Sequence, residues 1–149
     1  MIPVLFSYGS NLDTEQMRAR CPRAAPLTSA TLEGFRLVFG GHSERWGGAV
    51  ATLRPDKGGR VQGVLYRVPP RDLDRLDAVE GHPRFYHRAA TWVRDARGRK
   101  RRVQLYVLPN IGQAQRPAAR YFKVILAAYH ELGFDTRALF AAAHERGIA

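Results

Sequence analysis

The order in which strand-like and helix-like runs follow one another is the tightest constraint on this chain. Ile2 to Ser7, Phe35 to Gly41, Gly48 to Leu53, Val61 to Val68, Phe85 to Val93 and Arg101 to Leu108 are short and rich in β-branched and aromatic residues. Clusters of Gly, Pro or Asp bound each of them, as strand ends require. Periodicity and end signals predict four helices. Asp13 to Cys21 ends at Pro22, and Arg71 to Glu80 ends at Gly81. Ala118 to Leu132 starts after Pro117 and stops at Gly133, and Thr136 to Arg146 follows the capping candidate Asp135. Pro55-Asp56-Lys57-Gly58-Gly59 reads as a hairpin turn between two of the strands, and Asp95-Ala96-Arg97-Gly98 as another. Strands joined mainly by hairpins exclude a doubly wound parallel sheet. They predict an α+β fold: a mixed sheet of about six strands, curled toward a small β-barrel with helices packed outside.

With 149 residues, of which 45% are hydrophobic, the expectation is a single domain over residues 1–149, long enough to bury one core. The N-terminal apolar stretch ends at Tyr8, short of a signal-peptide core, and no run approaches the length that spans a bilayer. A cytoplasmic location with no membrane partner is therefore expected. Cys21 is the only cysteine, which fits a reducing compartment, and no motif places a base beside it, so it reads as structural.

The net charge of +11 raises a nucleic-acid reading. Its densest cluster, Arg94, Arg97, Arg99, Lys100, Arg101 and Arg102, surrounds the second turn. The cluster has no interleaved aromatics for base stacking and no helix for a major groove, so it reads as a solvated hairpin tip with no specific nucleic-acid partner.

Tyr8-Gly9-Ser10-Asn11-Leu12 follows the first apolar run directly and reads as a strand turning abruptly into a helix. Gly9 has no Cβ, and the first amides of a helix have no internal acceptor, so the turn suits a carboxylate or phosphate as well as a plain connection. In Pro69 to Gly81, Leu73, Leu76 and Val79 recur at helical spacing, which makes Glu80 the last residue of a short helix. Carbonyls at such an end, together with burial, would raise the pKa of a carboxylate. Asp72, Asp74 and Asp77 read as solvated.

These two segments, together with Tyr86, Arg88, the run Trp46 to Leu53, the run Val61 to Tyr66, Pro117 and Tyr121, resemble the γ-glutamylcyclotransferase (AIG2-like) family in its own order. The resemblance covers most of the chain. It implies a compact barrel and an internal reaction without cofactor: the α-amine of a γ-glutamyl group attacks its own γ-carbonyl and expels an amine or amino acid, leaving 5-oxoproline. It also implies Glu80 as the general acid/base and Tyr8, Gly9, Ser10, Asn11 and Leu12 as the loop lining the substrate. Tyr86 and Tyr121 match tyrosines near the substrate, and Arg88 is left structural. The partner implied is a small γ-glutamyl compound.

Other chemistries have little support. The five histidines show no metal-binding spacing, no nucleotide fingerprint is present, and Ser10 lacks the glycine two residues on that a nucleophile elbow needs. Two alternatives stay open: a basic nucleic-acid-binding or adaptor module on the same fold, and a cyclase for γ-glutamyl amines.

Overall fold

Alternating apolar side chains on five strands turn one face inward and close a barrel, which the computed structural model describes within residues 2–148. The strands are β1 (Val4–Ser7), β2 (Ala25–Ser43), β3 (Gly48–Arg67), β4 (His87–Asp95) and β5 (Lys100–Val107). Around the barrel they run β1-β3-β2-β4-β5. Neighbours are antiparallel except at the closure, where β1 meets β5 in parallel with Leu5 opposite Gln104. A small separate sheet pairs β6 (Gln113–Ala114) with β7 (Gly147–Ile148).

Five barrel strands replace the six expected because Pro55 to Gly59 is not a hairpin. Glu33 lies opposite Arg60 and Phe35 opposite Pro55, so residues 56 to 59 bulge from β3 beside Gly34 while the chain keeps its direction. Turn-forming residues serve a bulge as well as a hairpin when the partner strand supplies pairs on both sides. β2 accordingly begins at Ala25, not at Phe35, and the true hairpin turn is Glu44 to Gly47.

The helices are α1 (Thr14–Arg20), α2 (Pro70–Glu80), α3 (Ala119–Leu132) and α4 (Arg137–His144), and a 3₁₀ turn covers Ser10–Leu12. Asp13 caps α1 by accepting from the Gln16 amide at 3.0 Å. Asp135 does not occupy the N-cap of α4, which belongs to Thr136; its carboxylate instead takes the Arg137 amide and guanidinium. Leu76 of α2, Ile125 of α3 and Leu139 of α4 are fully buried with Phe39 and Leu65 of the barrel. Among the described residues, no helix is long and apolar enough to cross a membrane.

Two further expectations change. Asp72 is not solvated: it is fully buried one residue before Leu73, on the stripe of Leu76, and accepts from the Arg23 amide at 2.7 Å and the Arg23 guanidinium at 2.8 Å. Those donors satisfy a carboxylate that helical spacing turns inward. Nor is the basic hairpin free of aromatics. Trp92 is 52% exposed and lies directly across from Arg102, with the Arg102 guanidinium 5.8 Å and the Lys100 ammonium 6.0 Å from its ring. The hairpin folds Trp92, which precedes the basic run, back onto that run.

Candidate active site

Where β1 ends, the chain must turn sharply, and Gly9 allows it to pass close to β3. Its φ of −113° is one any residue adopts, so proximity and not a left-handed backbone explains the glycine. A Cβ there would stand 3.3 Å from the Ala51 Cβ and 3.5 Å from the Tyr121 hydroxyl. The 3₁₀ turn that follows bonds Leu12 N to Gly9 O and Asp13 N to Ser10 O, each at 3.0 Å. The amides of Gly9, Ser10 and Asn11 have no acceptor among the described residues.

Tyr8, Gly9, Ser10 and Asn11 line a small, open cavity together with Glu80, Tyr86 and Tyr121. Leu12 does not line it; its side chain is packed in the core. Glu80 is delivered by α2, which begins with Pro70 at its first position and stops at Gly81 in the left-handed conformation (φ 75°). His82 N closes that end on Asp77 O at 2.9 Å.

The Glu80 side chain is 12% exposed, and Arg20 of α1, itself 11% exposed, donates to its Oε1 at 3.0 Å. Asn11 Nδ2 reaches the same oxygen at 3.4 Å, and among the described residues no protein group donates to Oε2. Burial raises the Glu80 carboxyl above its ordinary value, against the opposing pull of Arg20, Asn11 and Arg45. Arg20 also donates to Asn11 Oδ1 at 2.9 Å, while Gln16 Nε2 binds Ser10 Oγ at 2.8 Å and Asn11 Oδ1 at 3.1 Å. Gln16 and Arg20 were missed by sequence reasoning. Their i, i+4 spacing on the helix that follows the turn, whose side chains lean back toward its N-terminus, was the available signal.

The tyrosines grip the opposite wall. Tyr86 donates to Ala51 O at 2.7 Å, and Tyr121 accepts from Ala51 N at 2.9 Å, so the two hydroxyls hold both backbone polar groups of one residue of β3. Tyr8 donates to Tyr106 O, and the Tyr106 hydroxyl donates to Asp77 at 2.6 Å. Burial pushes the Tyr8, Tyr86 and Tyr121 hydroxyls upward, so all three keep their protons at neutral pH. Asp77 is not solvated either, since Arg88 binds it at 2.9 and 3.2 Å. Cys21 is buried and its thiol is pushed up to about 11, chiefly by desolvation, which keeps it from acting as a thiolate. Among the described residues, no three His, Cys, Asp or Glu side chains converge as a metal site would need.

Fold and cavity together define a class: a small α+β barrel protein with an open hollow walled in part by a buried glutamate. Residues 5–123 match the family described as "Gamma-glutamyl cyclotransferase, AIG2-like". A mouse γ-glutamylcyclotransferase is 35% identical over 133 residues, 86% of this chain and 70% of the mouse protein, and its human counterpart is 33% identical over the same span. A solved structure of a γ-glutamyl cyclotransferase, 29% identical, covers 97% of this chain and 88% of its own with a TM-score of 0.87. The chain belongs to the γ-glutamyl cyclotransferase, AIG2-like family.

Proposed function

We propose that this chain is a γ-glutamyl cyclotransferase in which Glu80 moves the proton. The α-amine of a γ-glutamyl group attacks the γ-carbonyl of the same group, forming the ring C–N bond of 5-oxoproline. The C–N bond to the leaving nitrogen breaks as that nitrogen gains a proton. Tethering makes the attack unimolecular, and a folded glutamyl chain can exploit effective molarities of about 10⁵ M or more. What is left for the protein is to take the proton from the arriving ammonium and return one to the departing nitrogen.

The observation that carries this reading is the state of the Glu80 carboxylate. Arg20 and Asn11 anchor Oε1 and leave Oε2 without a protein donor, and burial makes the group a better base than an exposed glutamate. The unpartnered amides of Gly9, Ser10 and Asn11 suit the substrate α-carboxylate. Tyr86 and Tyr121 shape the opposite wall, and Leu12 supports the turn from the core. The reaction needs no cofactor, and the one buried, unpaired cysteine suits a cytoplasmic setting.

The test is to incubate the protein with a panel of γ-glutamyl compounds in water enriched with heavy oxygen and to analyse the products by mass spectrometry. Ring closure gives unlabelled 5-oxoproline and no turnover of the N-acetylated substrate, whose nitrogen has lost its basic lone pair. Glutamate carrying heavy oxygen in its γ-carboxylate would instead mark a hydrolase.

A further inference from the structure

The first cavity is not the only hollow that Glu80 borders. A second adjoins it and shares Ser10, Glu80, Tyr86 and Tyr121 with the first. Its own walls are apolar, from Val50 of β3, Val79 of α2, Phe85 and Trp46, and they are joined by two guanidinium groups, Arg20 and Arg45. Arg20 is neutralised by Glu80. Arg45 is not neutralised: its side chain donates to no acceptor and pairs with no carboxylate among the described residues.

The backbone of Arg45 is nonetheless tied down, while its side chain is exposed. It lies in the Glu44 to Gly47 turn between β2 and β3, where Gly47 N bonds Ser43 O at 2.7 Å and Trp46 N bonds Ser43 Oγ at 3.2 Å. Arg120 of α3 donates to the Arg45 carbonyl and holds its guanidinium 4.9 Å from the Trp46 ring, which itself packs edge-on to Tyr121 at 4.9 Å. A hydrogen-bonded turn thus presents an exposed, unpaired cation at the rim of an apolar hollow that opens on the proposed acid/base group. Its charge is felt at Glu80, where it counts among the influences that oppose the effect of burial.

A substrate whose glutamyl part fills the first cavity, with its scissile bond at Glu80, has to project its leaving group into the second. We propose that this second hollow is the leaving-group subsite and that Arg45 reads the α-carboxylate of a departing amino acid, the side chain of which rests on Val79, Phe85 and Trp46. This inference rests on the cyclotransferase reading and deepens it. An amine leaving group without a carboxylate leaves Arg45 unpaired, so the subsite separates γ-glutamyl amino acids from γ-glutamyl amines.

The experiment compares γ-glutamyl-alanine with γ-glutamyl-ethylamide, the same compound lacking the leaving group's carboxylate. The intact protein is expected to prefer the alanine compound by about tenfold in kcat/KM, carried mostly in KM, as fits one charge-assisted contact near solvent. Added salt shrinks the preference. In Arg45→Ala the ratio falls toward one, and in Arg45→Lys part of it survives. Because both substrates are measured on one preparation, the ratio is independent of the fraction folded. Equal turnover of the two compounds by the intact protein, or an undiminished ratio in Arg45→Ala, overturns the subsite assignment alone. Absence of 5-oxoproline from both compounds overturns the cyclotransferase reading and this inference with it.

Discussion

Two carboxylates in this molecule are each held by arginines, and they are driven in opposite directions. Glu80 sits in a buried pair with Arg20 at 3.0 Å, while Asp95 at the β4–β5 hairpin contacts Arg99 at 3.4 Å and Arg101 at 3.7 Å. At Glu80 desolvation outweighs the cation and the carboxyl is raised. At Asp95 desolvation also pulls upward, but the amides of Arg99 and Arg97 and the Arg99 guanidinium overcome it and hold the group below its ordinary value. Arginine is common to both sites. Backbone amides are not: Asp95 Oδ1 accepts two of them, at 2.9 and 3.0 Å, whereas Glu80 accepts none among the described residues. A fully donated carboxylate holds a turn. A half-donated one keeps an oxygen available for chemistry.

The two groups also act oppositely on stability. The contribution of Asp95, whose folded pKa is depressed, is present above its unfolded pKa and is lost as pH falls through the folded value. That of Glu80, raised in the fold, is fully present below its unfolded pKa and is lost as pH rises through the folded value, so ionised Glu80 is a charge the fold tolerates for function.

The largest expected effect tests the Glu80 side of this comparison. Glu80→Gln keeps the shape and removes the base, and kcat is expected to fall about 10²-fold or more, the usual contribution of a general acid/base group. Asp95→Asn is expected to leave kcat in place. Steady-state release of 5-oxoproline by both variants, with circular dichroism to confirm folding, decides the matter. Near-normal turnover by folded Glu80→Gln would remove it from the proton-transfer role.

A second prediction concerns the cation beside Glu80. The base form is required, so activity should drop as pH falls through the raised Glu80 value. Arg20 opposes that rise, and Arg20→Gln should therefore move the acid limb of the kcat profile to higher pH, with Arg20→Lys restoring it in part. If the limb stays in place in a folded Arg20→Gln protein, Arg20 only supports the loop through Asn11.

The turn offers a smaller effect. Gly9→Val adds a branch where a single Cβ already approaches Ala51 and Tyr121, and affinity for 5-oxoproline should fall about tenfold, or 1.4 kcal/mol. Calorimetric titration measures this directly. Unchanged affinity would place the carboxylate cradle elsewhere.

How much of this was legible in the sequence follows from the range of each signal. Gly81, Gly133 and Pro70 act within one helical turn, so the helix ends and the place of Glu80 were readable. The run Tyr8 to Asn11 was readable for the same reason, although Leu12 belongs to the core. Pro55 to Gly59 misled because a bulge and a hairpin use the same residues, and only the partner strand distinguishes them. Arg20 and Asp72 depend on partners far along the chain, Glu80 and Arg23, whereas Trp92 stands only across the hairpin from Arg102, just outside the run of basic residues. Local periodicity contains nothing about such pairs.

The smallest effect is expected at the hairpin itself, whose arginines are solvated where Glu80 and Arg20 are buried. Arg97 and Arg102 are exposed and pair with no carboxylate among the described residues, so Arg97→Ser with Arg102→Ser should change stability by no more than about 0.5 kcal/mol. Binding of nucleic acid by this face would come from phosphate contacts and stacking on Trp92, neither of which reads base identity. A single-stranded oligonucleotide should therefore bind no tighter than about 1 μM at physiological salt, lose affinity steeply as salt rises, and show no sequence preference. The double variant should weaken that binding and flatten its salt dependence while leaving 5-oxoproline release essentially unchanged. A sub-micromolar preference for one sequence, abolished by the double variant, would break the comparison: the hairpin would then be a built site, and the division between chemistry in the barrel and solvated charge at its edge would fail.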